Sequence, residues 1–96
     1  MSRRPTYRCS PSIAWVKDAG QTLVVDRETR QSWTLRGMEA VVWDLLAVGY
    51  PHRKIIPMLS LIHSLSVEEA KDALAEVLRK WREAGLVQVS REGDGG

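Results

Sequence analysis

The chain has 96 residues, 44% apolar and 27% charged, with a net charge of +2 from 14 basic and 12 acidic side chains. That length fits one small domain with one core and no second lobe. The near balance of charge argues against a dedicated nucleic-acid binder, which needs a strong basic patch.

Residues 1–11 are polar and basic, carrying Arg3, Arg4, Arg8 and two prolines. They read as a flexible basic arm. Basic residues with no apolar stretch behind them do not make a secretory signal. The single cysteine, Cys9, permits no internal disulfide, which suits a reducing cytoplasm. No apolar run approaches the length of a membrane span, so the expected location is cytoplasmic, with no membrane partner.

The folded unit is expected over residues 12–89. "SIAWVK" (12–17) reads as a first strand, "DAGQ" as a turn on Gly20, and "TLVVD" (22–26) as a second strand. "RETR" connects to a third, "QSWTL" (31–35), where Trp33 and Leu35 share one face and Ser32 and Thr34 the other. No later strand is an evident partner for this third one.

The period then changes from two to 3.6. Met38, Val41, Val42, Leu45 and Leu46 form an apolar stripe widened by Trp43, and Gly49 stops the helix. In "YPHRKIIPMLSLIH" Pro51 suits a helix start, while Pro57 removes a donor inside it. A short or kinked second helix is expected. The third, over about 67–84, has the clearest signals: Ser66 and Glu69 form a capping box, and Gly85 follows the end. Its stripe is Val67, Ala70, Leu74, Val77, Leu78 and Trp81. "LVQV" is a terminal strand or an apolar tail that packs back, and 90–96 reads as a disordered tail. Strands followed by helices imply an α+β fold, a three-stranded antiparallel sheet followed by three helices, with a winged-helix-like arrangement. Trp15, Trp43 and Trp81 are expected in the core. Trp33 suits either the core or a surface groove.

Catalysis needs converging reactive groups, and few are present. His52, His63 and Cys9 lack metal-ligand spacing, and no phosphate loop or nucleophile elbow appears. No enzyme activity, metal or cofactor is expected. The edge of the third strand is a more promising feature, because it carries no proline or lysine to block pairing with another chain. A peptide adding there would gain backbone hydrogen bonds, with side-chain pockets giving specificity. Lys71, Ala75, Leu78, Arg79 and Arg82 run along the third helix at spacings of three and four, in reach of acidic guest residues.

The segment "LVVDRETRQSWTLRGMEAVVWDLLAVGYPHRKI", followed by a capped helix closing on "WREAGLV", resembles the PqqD-like family of RiPP recognition elements. The resemblance spans about residues 12–88. It rests on the W-x-L strand end, the "GMEAVVWDLL" helix, the Gly after it and the final A-G-L. Pro57 departs from the family's regular second helix. The resemblance implies three strands and three helices, and a domain that does no chemistry. It implies capture of a precursor peptide's leader as a strand beside the third strand, in a groove walled by the third helix, and presentation of that peptide to a modifying enzyme. Carried over, the strand side is Gln31, Ser32, Trp33, Thr34 and Leu35. The helix side is Lys71, Leu74, Ala75, Leu78, Arg79 and Arg82. The partner enzyme it implies is a leader peptidase, as in lasso-peptide maturation, or a radical-SAM enzyme; stand-alone length leans toward the lasso case.

Two other readings stand beside it. A winged-helix DNA-binding regulator is supported by the basic arm and opposed by Glu68, Glu69, Asp72, Glu76 and Glu83 on the last helix. A homodimerisation module would use the same strand edge.

Overall fold

The computed structural model describes residues 5–91. Five strands and three helices follow in the order β1 (Pro5–Cys9), β2 (Ile13–Asp18), β3 (Gln21–Asp26), β4 (Ser32–Leu35), α1 (Met38–Ala47), α2 (His52–His63), α3 (Val67–Glu83) and β5 (Val87–Arg91). The α+β class and the three-stranded antiparallel sheet expected from the sequence are present, as β2-β3-β4. The expected tail at 90–96 lies outside the described residues from 92 on, as does the arm at 1–4.

Each sheet connection has a local cause. Between β2 and β3 the two-residue loop Ala19-Gly20 has φ +50° and +82°. Two positive φ values give a turn whose twist matches the flanking strands. Between β3 and β4, Asp26 Oδ1 accepts from the Glu28 N–H at 2.9 Å, folding the chain back within one turn. β4 ends at Leu35, and Gly37, φ +57°, caps the start of the helical period.

Two helices end in the same device. The Tyr50 N–H donates to the Leu45 carbonyl and the Gly49 N–H to that of Leu46, each at 3.0 Å. At the end of α3 the Leu86 N–H reaches the Trp81 carbonyl at 2.9 Å and the Gly85 N–H that of Arg82 at 3.2 Å. Both are Schellman closures that require positive φ, and Gly49 and Gly85 supply it at +90° and +80°. The capping box of α3 is complete: Ser66 Oγ accepts from the Glu69 N–H and Glu69 Oε1 from the Ser66 N–H. α2 is one helical element of 12 residues despite Pro57. Pro57 and Arg53 are both exposed, so the Arg53 carbonyl that loses its helical donor can turn to water.

The arm expected over residues 1–11 is a strand from Pro5 to Cys9. Pro5–Cys9 pairs antiparallel with Val87–Arg91, in a second, two-stranded sheet. Ser10 continues the seam, its N–H to the Leu86 carbonyl and its Oγ to the Gly85 carbonyl at 2.8 Å. The terminal "LVQV" is thus a strand, and its partner lies some eighty residues upstream, where no local pattern announces it.

One core joins Ile13, Val24 and Leu35 from the sheet to the stripes of α1, α2 and α3. Trp43 and Trp81 are buried, with ring centroids 5.3 Å apart and edge to face. Trp15 corrects an expectation: it stacks edge-on against Trp43 but is 41% exposed, because β2 is an edge strand. Trp33 is half-buried and packs against the core.

Candidate functional site

β4 is the outer strand of the β2-β3-β4 sheet. Its register against β3 sets which backbone groups are open. The Asp26 N–H donates to the Gln31 carbonyl at 2.9 Å, which continues the pairing of Val25 with Ser32 and Val24 with Trp33. In an antiparallel ladder, hydrogen-bonded and non-bonded pairs alternate. Gln31, Trp33 and Leu35 therefore turn their backbone groups toward β3. Ser32 and Thr34 turn theirs to the free edge. Their side chains lie on the exposed outer face, and those of Trp33 and Leu35 on the inner one. The edge is bracketed by two exposed cations, Arg30 and Arg36, the latter donating from Nε to Gln21 Oε1.

The third helix, expected as the far wall of a groove at this edge, presents two different flanks. Lys71, Ala75, Arg79 and Arg82 lie on one, exposed. Arg79 is already engaged by Glu76 and Glu83, whose carboxylates hold the guanidinium further toward its charged form. Ala73, Val77, Lys80 and Ala84 form the other flank, about half a turn away. Lys80 Nζ meets Glu39 Oε2 at 2.7 Å. Glu39 is the second residue of α1, four positions beyond the end of β4. The ion pair thus turns the Ala73–Ala84 flank to the segment that follows β4.

Of the residues singled out in sequence, Gln31, Ser32 and Thr34 are exposed and Trp33 is half-buried. Leu35, Leu74 and Leu78 are 3%, 0% and 2% exposed and belong to the core; Leu78 also lines a cleft beside β1, β2, α1 and α2. Lys71, Ala75, Arg79 and Arg82 are gathered on one flank, opposite the one that Lys80 ties to α1. The Ala73, Val77, Lys80 and Ala84 row was missed. Its signal was present as two alanines in line with a lysine at spacings of three and four, which leaves a shallow helix flank.

Among the described residues no three His, Cys, Asp or Glu side chains cluster at metal-binding distance, and no helix is long and apolar enough to cross a membrane. Cys9 is half-buried, and burial pushes its thiol pKa up, away from the reactive thiolate.

No protein-family model matches the chain, and no curated protein matches it. Two solved structures share its fold. One is TbiB1 in complex with the TbiA(beta) leader peptide, with TM-score 0.80, 17% identity, and coverage of 93% of this chain and 99% of that one. The other is a lasso peptide synthetase B1 complexed with the leader peptide, with TM-score 0.79, 17% identity, and coverage of 86% of this chain and 98% of that one. At that identity the likeness is one of fold. It is the fold expected from the PqqD-like resemblance, carried by nearly the whole length of both neighbours.

Proposed function

We propose that the protein binds the leader region of a ribosomally synthesised precursor peptide by strand addition to β4 and presents it to a modifying enzyme, a leader peptidase or a radical-SAM enzyme. The observation that carries this reading is the open β4 edge in a fold whose two solved neighbours are leader-peptide complexes. The Ser32 and Thr34 backbone groups supply the ladder, and main-chain hydrogen bonds bring affinity without dictating guest sequence. Inward-facing guest side chains meet Trp33 and the Ala73, Lys80 and Ala84 row, whose small residues leave room beside the sheet, with buried Val77 beneath. Arg30 and Arg36 give an acidic guest its charge partners. No chemistry is assigned to the domain itself.

Fluorescence polarisation tests the reading. A labelled peptide for the leader of a neighbouring short precursor gene is titrated with the protein, beside labelled duplex DNA, at two salt concentrations. Saturable leader binding that survives the higher salt is expected. Binding to DNA alone, collapsing with salt, favours a winged-helix regulator instead. Thr34→Pro supplies the local control. The Thr34 N–H faces the free edge, so its loss spares the β3–β4 ladder and removes a donor to the guest. Leader affinity should fall about tenfold, as expected for one backbone bond lost and its partner left unmet. A folded variant with unchanged affinity would refute strand addition at β4.

A further inference from the structure

A cleft of about 510 Å³ lies between β1, β2, the end of α1 and the start of α2, with Leu78 of α3 also in its lining. Tyr7, Arg8, Trp15, Tyr50, His52 and Arg53 are among its lining residues, and none of the lining residues is acidic. Trp15 and Tyr50 are 41% and 40% exposed, large ring areas left in contact with water. Trp15 stacks edge-on against buried Trp43, with centroids 5.6 Å apart. Tyr50 is fixed by its own N–H in the α1 closure, between Gly49 at φ +90° and Pro51. Tyr7 meets the His52 ring edge-on at 5.4 Å. Burial holds His52 toward its neutral form, so the positive charge here comes from Arg8 and Arg53. Neither arginine has a carboxylate partner among the described residues.

Half-exposed aromatic rings beside cations with no carboxylate partner among the described residues are the composition of a binding hot spot. We propose that this cleft is a second peptide-recognition site, taking an aromatic side chain of an acidic segment of a partner protein. The guest ring packs on Trp15 and Tyr50. Its neighbouring carboxylates meet Arg8 and Arg53, and the absence of acidic lining excludes basic segments by leaving them uncompensated. The cleft stands at the β2 side of the sheet, two strands or roughly 10 Å from the β4 edge. No β4 residue is among its lining residues.

Nuclear magnetic resonance of the full, nitrogen-15-labelled chain tests it. The probes are end-blocked Asp-Trp-Glu, its neutral counterpart Asn-Trp-Gln, and adenosine monophosphate, each titrated into the millimolar range. Asp-Trp-Glu should shift the Trp15 indole and the amides of Gly49, Tyr50 and Ile55 saturably, leaving Ser32 and Thr34 in place. Asn-Trp-Gln should bind about fivefold more weakly, the size expected for partly exposed ion pairs. Arg53→Gln, on an exposed side chain that leaves the spectrum dispersed, should reduce Asp-Trp-Glu affinity by a similar factor and leave Asn-Trp-Gln unaffected. Absent or unsaturable shifts, shifts centred on β4, or equal affinity for the two peptides would overturn the proposal. Tighter binding of adenosine monophosphate at the same resonances would replace the peptide with a nucleotide.

Discussion

At Asp26 a single carboxylate closes the connection that leads into β4. Its pKa is held below the ordinary 3.8, first by the hydrogen bond from the Glu28 N–H. A depressed carboxylate pKa stabilises the fold above the unfolded value and loses that contribution as pH falls through the folded one. Asp26→Asn should therefore lower the melting temperature at neutral pH, and the gap to the parent should narrow as pH drops below about 3.8. A gap independent of pH would mean that the turn does not need the charge. Leu78 belongs to the same scale. In sequence it sits beside cations and reads equally well as a pocket residue. At 2% exposure it is core, even though it also lines the cleft, and Leu78→Glu buries an unpaired charge at a cost of about 3–5 kcal/mol. Chemical denaturation should show a globally destabilised or unfolded protein. A folded variant of normal stability would show that the α3 core can open there.

Among the elements, the helices were the most legible. Ser66 and Glu69 marked the start of α3, Gly85 its end, and the stripe between them its buried face. These signals are local, acting within a turn or two of the chain, so a linear reading captures them. Gly85→Ala tests the closure. No heavy atom lies within 4 Å of an added Cβ, so the strain is conformational alone, from φ +80°. The expected loss is about 1–2 kcal/mol, read from a urea titration; a neutral result would show that the closure tolerates a side chain. The groove wall was less legible for a different reason. Both flanks of α3 are amphipathic in the same way, and only the Lys80–Glu39 pair shows which one turns to the end of β4.

In the whole molecule, the largest departure from the linear reading is the β1–β5 sheet. Tyr7 and Cys9 pack against the core from a segment that reads as an arm. Removing residues 1–9 should cost on the order of 2–3 kcal/mol, from the lost apolar cover and the exposed β5 edge. It should leave leader binding at β4 intact, while the cleft loses one wall. Differential scanning calorimetry and the polarisation titration check the two halves of that expectation. Leader binding lost along with β1, in a variant that still melts cooperatively, would tie the two surfaces together.

Sequence by itself determined the class, the three-stranded meander followed by three helices, the caps, and the strand that ends the meander. Each depends on periodicity or on residues within about four positions of one another. Tertiary structure alone decided that Trp15 stands half in solvent, that Leu35, Leu74 and Leu78 lie beneath the surface, and that the ends of the chain pair. Those outcomes depend on which faces meet across the fold and on contacts some eighty residues apart, where the chain's own pattern carries no record of its neighbour.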